Sequence, residues 1–371
     1  MEFLEKYYLG DEIYLFVLFT IMIVSGIAKE HNLFGGTYGW LKSKFSSNRV
    51  VIALISLVSG VLPLEGRSTI SAGILDTATV SHEKDAKARQ KLGPIDFLTT
   101  HHFYMWSPIE KPVILPMAAF GISYSAWLGM LWPLILVSVL FIGYYLFFVI
   151  KEEEVNIEPQ ENLGSLNFIK NVVPFLSAIL GYMILGGEGP ELVFPIFGIL
   201  LVYYLIITKT FSLNKINSYI NWTTLGIIAI VFFSSGFMQE HRGWIEDAIK
   251  NWGLDTHTFK GMVTISILLF LASFSMGSDG KFAALTVLAS TVFGKEYLLW
   301  FFALDYCGYL LTPMHECVMI GKRYFGTTLT TYYKSLGMWA GLILITAAFF
   351  TFLIYSTILR NVPLLLGVSL K

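Results

Sequence analysis

Two short motifs set opposite charges around a glycine inside strongly apolar surroundings. They are Glu65-Gly66-Arg67, followed by Ser68 and Thr69, and Asp279-Gly280-Lys281, preceded by Ser278. A carboxylate there can take up H⁺ or Na⁺, while a guanidinium or ammonium can meet an anion. A glycine permits a tight reversal at positive φ and leaves its backbone amides open to a bound group. Each ionised group near a bilayer centre costs about 2.5–3.5 kcal/mol on insertion scales. Four of them unpaired would cost roughly 10 kcal/mol, comparable with the net stability of a whole domain. Two readings follow. Each acid pairs with its neighbouring base and merely holds a bend, or the acids couple an ion and the bases meet an anionic substrate.

A second pair of motifs runs in the same order. "SPIEKPVILPMAAFG" (107–121) and "TPMHECVMIGKRYFG" (312–326) both start on a hydroxyl residue and proline and end on Phe-Gly at identical spacing. Pro108 and Pro313 each remove a backbone donor, leaving a carbonyl about one turn back without its helical partner. Such carbonyls, with Ser107 and Thr312, suit Na⁺, and the half-helix after each proline presents an anion-favouring amino end. Glu110, His315 and Glu316 follow the prolines, and a histidine changes charge near neutral pH. His315 with Glu316 therefore reads as a proton relay or, on the plainer view, as packing. Asp305, His101 and His102 precede the prolines by part of a span. Asp76 is a weaker candidate that caps its arm.

The elements that must position these residues are membrane spans. The 371 residues are 55% hydrophobic and 14% charged, against about 25% charged in soluble proteins. The net charge of −1 argues against a nucleic-acid partner. With only Cys307 and Cys317, a disulfide framework is not expected. Full spans are expected over 12–29, 126–150, 167–186, 190–207, 222–239 and 335–357. Segments 97–125 and 296–326 read as broken helices, and 48–80 and 258–294 as re-entrant helical hairpins, which need protein or a water-filled cavity around them. The linker 81–92 reads as solvated, and Trp106, Trp127 and Trp132 as lipid-facing or interfacial. Basic loops gather on one face, which puts both termini outside a cell membrane.

The expected fold is an all-α polytopic membrane protein. Residues 1–150 form one repeat, 151–221 linking spans that serve as scaffold or dimer contact, and 222–371 a second repeat of inverted topology. That order is the sequence signature of a secondary transporter with its site near the midplane.

"GVLPLEGRSTISAG", "WSPIEKPVILP" and "GYLLTPMHECVMIGKRYF" resemble a family of ten-span prokaryotic integral membrane proteins. That family is grouped with the ion transporter superfamily, relatives of dicarboxylate, citrate and arsenite carriers. The resemblance implies two inverted repeats, each with a re-entrant hairpin and an unwound helix, in a homodimer that moves by an elevator motion. The better-known carboxylate carriers place Ser-Asn-Thr at their hairpin tips, whereas this chain does not, so substrate and Na⁺ preference do not carry over. The expected function is transport of a small anion by symport or antiport with H⁺ or Na⁺, without cofactor, resident metal or catalytic residues. A cation/H⁺ antiporter is the alternative. A membrane metalloenzyme is a lesser one, because His101, His102, His315, Glu316 and Cys317 lie on two distant segments without HExxH spacing.

Overall fold

The computed structural model describes residues 12–31, 33, 37–61, 71–72, 75–76, 86–151, 169–185, 193–254, 258–276, 279–313 and 315–355. Among them the chain is helical throughout, with no strand. In chain order the helices are α1 (Glu12–Glu30), α2 (Thr37–Lys44), α3 (Asn48–Val61), α4 (Ala86–Gln90), α5 (Leu92–His101) and α6 (Lys111–Phe120). Then come α7 (Tyr124–Tyr144), α8 (Val173–Leu185), α9 (Val193–Thr208), α10 (Leu213–Ser218), α11 (Trp222–Glu240) and α12 (Arg242–Asn251). The last are α13 (Phe259–Met276), α14 (Asp279–Phe293), α15 (Leu298–Leu311), α16 (Glu316–Phe325) and α17 (Leu329–Ala348).

Among the described residues two helices are long and apolar enough to cross a membrane: Tyr124–Val149, where α7 continues as a π-helical turn, and Leu329–Leu353 in α17 and its π-helical continuation. Seven shorter apolar helices accompany them, which is compatible with a membrane protein. α17 starts at Leu329, six residues before the expected 335, because Thr328 caps it by accepting from the Thr331 amide. Large apolar side chains stand outward on these helices. Phe148 is 77% exposed and Ile184 72%, a surface that lipid rather than water would cover.

The two proline motifs fold alike. α5 tightens into a 3-10 turn at His102–Met105, and the chain leaves helical geometry before α6 begins. α15 stops at Thr312, whose ψ of 132° is the extended geometry that the following proline imposes. Glu110 and His315 are the extended N-caps of α6 and α16, at φ/ψ of −84°/136° and −69°/112°. Both short helices end on a left-handed glycine, Gly121 at φ 61° and Gly326 at φ 63°, the conformation that closes a helix at little cost only for glycine. Every pair of corresponding residues is 205 apart, the separation at which Tyr104 and Tyr309 meet.

The packing interleaves these pieces. α13 and α14 both lie on α15, and α14 also lies on α6. α3 lies on α5, and α16 crosses over to α5. α17 and α7 close the bundle around α5 and α15, while α8 and α9 pack on each other and α9 on α1. The main core runs through α1, α3, α5, α6, α7, α15 and α17, and a smaller one joins α13, α14 and α15 around Phe301.

Candidate functional site at the paired helix breaks

At the first break Ser107, Pro108 and Glu110 are buried, and at the second Thr312 and His315 are buried while Pro313 and Glu316 are exposed. The carbonyls freed at the first break are largely occupied. Trp127 Nε1 donates to the Met105 carbonyl at 2.9 Å, and Tyr124 Oη to the Trp106 carbonyl at 2.6 Å. The sequence suggests a lipid-facing or interfacial Trp127. It is fully buried, because an unwound backbone in apolar surroundings needs donors and the indole supplies one. A cation held at this break would draw on other oxygens.

The breaks touch one another. Tyr104 and Tyr309 bring their hydroxyls to 3.5 Å, and Tyr306 Oη donates to the His101 carbonyl at 2.8 Å. Beside them the His101 and His315 rings lie 4.9 Å apart, centroid to centroid, at 65°. Phe97 stacks on His101 at 3.9 Å, and Tyr309 leans on His315 at 4.4 Å. Cys317 joins them: one ligand atom from each of His101, His315 and Cys317 lies within 4.8 Å of the others. The metal-ligand types that the sequence spreads over two distant segments are therefore neighbours. His102 is not among them, since its Nδ1 donates to the Thr99 carbonyl at 2.9 Å and its ring faces Phe103 and Trp106. Glu316, the expected relay partner of His315, is exposed in the first turn of α16, where an acid suits the helix dipole. His315 instead caps that helix, its Nδ1 accepting from the Cys317 amide at 3.2 Å.

A buried aspartate stands on each first half-helix. Asp96 Oδ1 accepts from Ser56 Oγ at 2.7 Å and from Ser71 Oγ at 2.5 Å. Asp305 Oδ2 accepts from the Thr286 amide at 2.8 Å and from Thr286 Oγ1 at 2.7 Å, and Ser273 Oγ donates to the Asp305 carbonyl at 2.6 Å. Oδ1 of Asp305 is buried with no hydrogen-bond partner among the described residues. Each aspartate thus ties its half-helix to groups on both sides of a charged tip. Sequence reasoning missed Asp96, which lies one residue before the boundary drawn at 97. The available signal was a lone acid within an apolar run, which in a membrane is a functional candidate by default.

Glu65, Gly66, Arg67, Ser68, Thr69 and Ser278 lie outside the described residues. Asp279, Gly280 and Lys281 form the first turn of α14, so Gly280 is helical and not the positive-φ turning point expected of it. Asp76 pairs with Arg89, which also donates to the Tyr324 carbonyl at 2.9 Å. The 81–92 linker therefore carries a structural contact and is not merely solvated.

The family model described as "Protein of unknown function (DUF401)" matches residues 9–356, and the chain belongs to that family. No curated protein matches it.

Proposed function

For this DUF401 member, we propose secondary active transport of a small anion across the cell membrane, coupled to H⁺ or Na⁺. The observation that carries the reading is the matched pair of breaks, capped alike by Glu110 and His315 and closed alike by Gly121 and Gly326. Carriers built from inverted repeats hold substrate and coupling ion near the midplane at such discontinuous helices. Tyr306 meets His101, and Tyr104 meets Tyr309, each pair 205 residues apart. A pseudo-two-fold axis through the breaks gives contacts of this kind, because positions on such an axis meet their own equivalents. On this reading residues 1–150 and 222–371 are the repeats, 48–80 and 258–294 their re-entrant hairpins, and the superfamily is that of the ion transporters.

Substrate then lies between the two tips and the two breaks, with Arg67 and Lys281 meeting its charge. Asp96 and Asp305 take the coupling ion in preference to Glu316, being buried and tied to the tips' own arms. Neutralised by ion and substrate together, the unit crosses a scaffold that includes 167–207, in a dimer. An uncompensated charge moving past that scaffold costs about 2.5–3.5 kcal/mol or more, so a half-loaded unit stays put and coupling is strict. The test is uptake by proteoliposomes across small carboxylates and oxyanions under imposed pH and Na⁺ gradients. Saturable uptake driven by one gradient, and lost in Arg67→Gln with Lys281→Gln, is expected. Uptake undiminished without any gradient or counter-substrate would sink the scheme.

A cation/H⁺ antiporter is the second reading, favoured by Oδ1 of buried Asp305, which has no hydrogen-bond partner among the described residues and is an oxygen that could take a proton or cation. In that case Asp305→Asn abolishes exchange, while Arg67→Gln is tolerated.

A further inference from the structure

We infer that His101, His315 and Cys317 form a binding site for a zinc-class transition-metal ion, which links the two helix breaks. The inference stands apart from the carrier reading, because it rests on donor chemistry and geometry at three side chains. Two imidazoles and a thiol make a nitrogen and sulfur set, suited to Zn²⁺ and unsuited to Na⁺, Mg²⁺ or Ca²⁺, which take oxygens. The three ligand atoms lie within 4.8 Å of one another. Around a tetrahedral Zn²⁺, with bonds of about 2.0–2.1 Å to nitrogen and 2.3 Å to sulfur, such atoms sit about 3.3–3.6 Å apart. Side-chain shifts on the order of 1 Å close that difference.

The surroundings fit as well. The Phe97 carbonyl can only accept, so His101 Nδ1, 2.9 Å from it, is the donor. In the neutral ring this makes Nε2 the lone-pair nitrogen. A carbonyl or carboxylate behind the distal nitrogen is the usual support for a metal-bound histidine, fixing both tautomer and ring orientation. Phe97 stacked flat on His101 holds that orientation further. His315 Nδ1 accepts from the amide of Cys317, the residue that brings the sulfur. The neutral ring therefore carries its proton on Nε2, and ligation takes the place of this cap bond, freeing a ring lone pair for the ion. Both histidines are buried and Cys317 is partly exposed, so an ion enters from the thiol side. As the sulfur–metal bond forms, the thiol proton leaves to solvent, with no change of oxidation state. Three protein ligands leave the fourth position to water or an anion.

His101 ends α5 and His315 opens α16, so the ion would pin together the two segments that any rearrangement of the breaks has to separate. The experiment uses the full chain in detergent micelles, stripped with a chelator. Zn²⁺ is titrated against a competing fluorescent chelator, and Co²⁺ is followed by absorption. One ion per chain and a thiolate-to-cobalt charge-transfer band are expected. The band should vanish in Cys317→Ser, and Zn²⁺ affinity should fall about tenfold or more in His101→Gln and in His315→Gln. A wild-type protein without the band, or variants that bind as the wild type does, would overturn the site. A variant-free readout covers misfolding: Zn²⁺ should slow maleimide labelling of Cys317 about tenfold or more, while Cys307 is fully buried and its Sγ donates to the Ala340 carbonyl. An unchanged labelling rate also overturns it.

Discussion

Around Asp96, two serine hydroxyls from either side of the first charged tip converge on a single carboxylate oxygen. Around Asp305, one threonine gives both hydroxyl and backbone amide to one oxygen, and the serine of the other arm turns to the aspartate's own carbonyl. The two acids do not occupy corresponding positions. Adding the separation of 205 to Asp96 gives 301, so Asp305 stands four residues further on. Four residues are about one helical turn, which keeps the side chain on the same face. The partners and the register have both changed, yet each half keeps a buried aspartate bonded from segments on both sides of its charged motif. What is held constant is a tie from the half-helix to the segments flanking each charged motif, rather than the residue that makes it.

The largest expected effect tests that contrast. Asp305→Ala takes the acceptor from a backbone amide and a hydroxyl together, whereas Asp96→Ala takes it from two hydroxyls, which can rotate toward other acceptors. A buried unsatisfied group costs about 1–3 kcal/mol, so Asp305→Ala should lose about 3 kcal/mol and Asp96→Ala about 2 kcal/mol by that rule. Unfolding followed in detergent measures both, and equal losses would erase the distinction.

Next in size come two glycines, one where α3 crosses α5 and one where α13 crosses α15. A Cβ on Gly308 would lie 2.7 Å from the Phe270 carbonyl oxygen and 3.1 Å from the Phe274 nitrogen, both backbone atoms that cannot step aside. A Cβ on Gly60 would meet the Phe103 ring at 2.8 Å and Thr100 Cα at 2.9 Å. Gly308 sits on α15 and Gly60 on α3, so the two crossings are kept close by opposite partners. Overpacking typically costs about 1–3 kcal/mol. Each added Cβ meets a backbone atom inside 3.0 Å, so both variants should fall in the upper part of that range. Gly308→Ala should be the costlier, because its nearest contact is itself backbone whereas the nearest at Gly60 is a ring that can tilt. Melting temperatures of the two variants, taken side by side, check the order.

These contrasts also show what could be read from the chain alone. The breaks and their glycine ends were legible, because Pro108, Pro313, Gly121 and Gly326 impose backbone geometry through their own covalent structure. Asp96 was not, since one acid in an apolar run announces burial but not the two serines that grip it. Nor was the meeting of His101 with Cys317, which depends on how α16 crosses to α5 rather than on local pattern. Trp127 was misread for a related reason. Hydropathy counts an indole as apolar whichever way it faces, and only the unmet carbonyl of Met105 decides that it turns inward. The first helix (Glu12–Glu30) and the last long one were simple by comparison, their length and composition being enough.

Trp127 gives the third test, because it acts on the first break alone. Trp127→Phe removes the donor to Met105 and should cost about 1–2 kcal/mol. Amide exchange should quicken over 105–110 and stay as it was over 315–318. Equal quickening at both breaks would mean that they move as one unit, so the result also reports how tightly the Tyr104–Tyr309 contact couples them.

The smallest effects belong to two cations, Arg89 and Lys295, that reach to the ends of the short helices α16 and α6. Arg89 pairs with Asp76 and donates to the Tyr324 carbonyl in the last turn of α16. Lys295 stands 5.6 Å from the centre of the Phe120 ring at the end of α6. Both positive charges lie where a helix carboxyl end favours them, but only Arg89 joins three elements at once. Arg89→Gln should therefore cost about 1 kcal/mol, and Lys295→Gln about 0.5 kcal/mol or less, as for partly exposed ion pairs and cation–π contacts. Added salt should erode the Arg89 contribution, because its partner Asp76 is partly exposed and open to screening. It should leave the Lys295 variant's deficit nearly unchanged, since a ring face carries no net charge to screen. If instead the two deficits shrink together with salt, the common element is the field of the helix ends, and the specific partners of Arg89 add nothing to it.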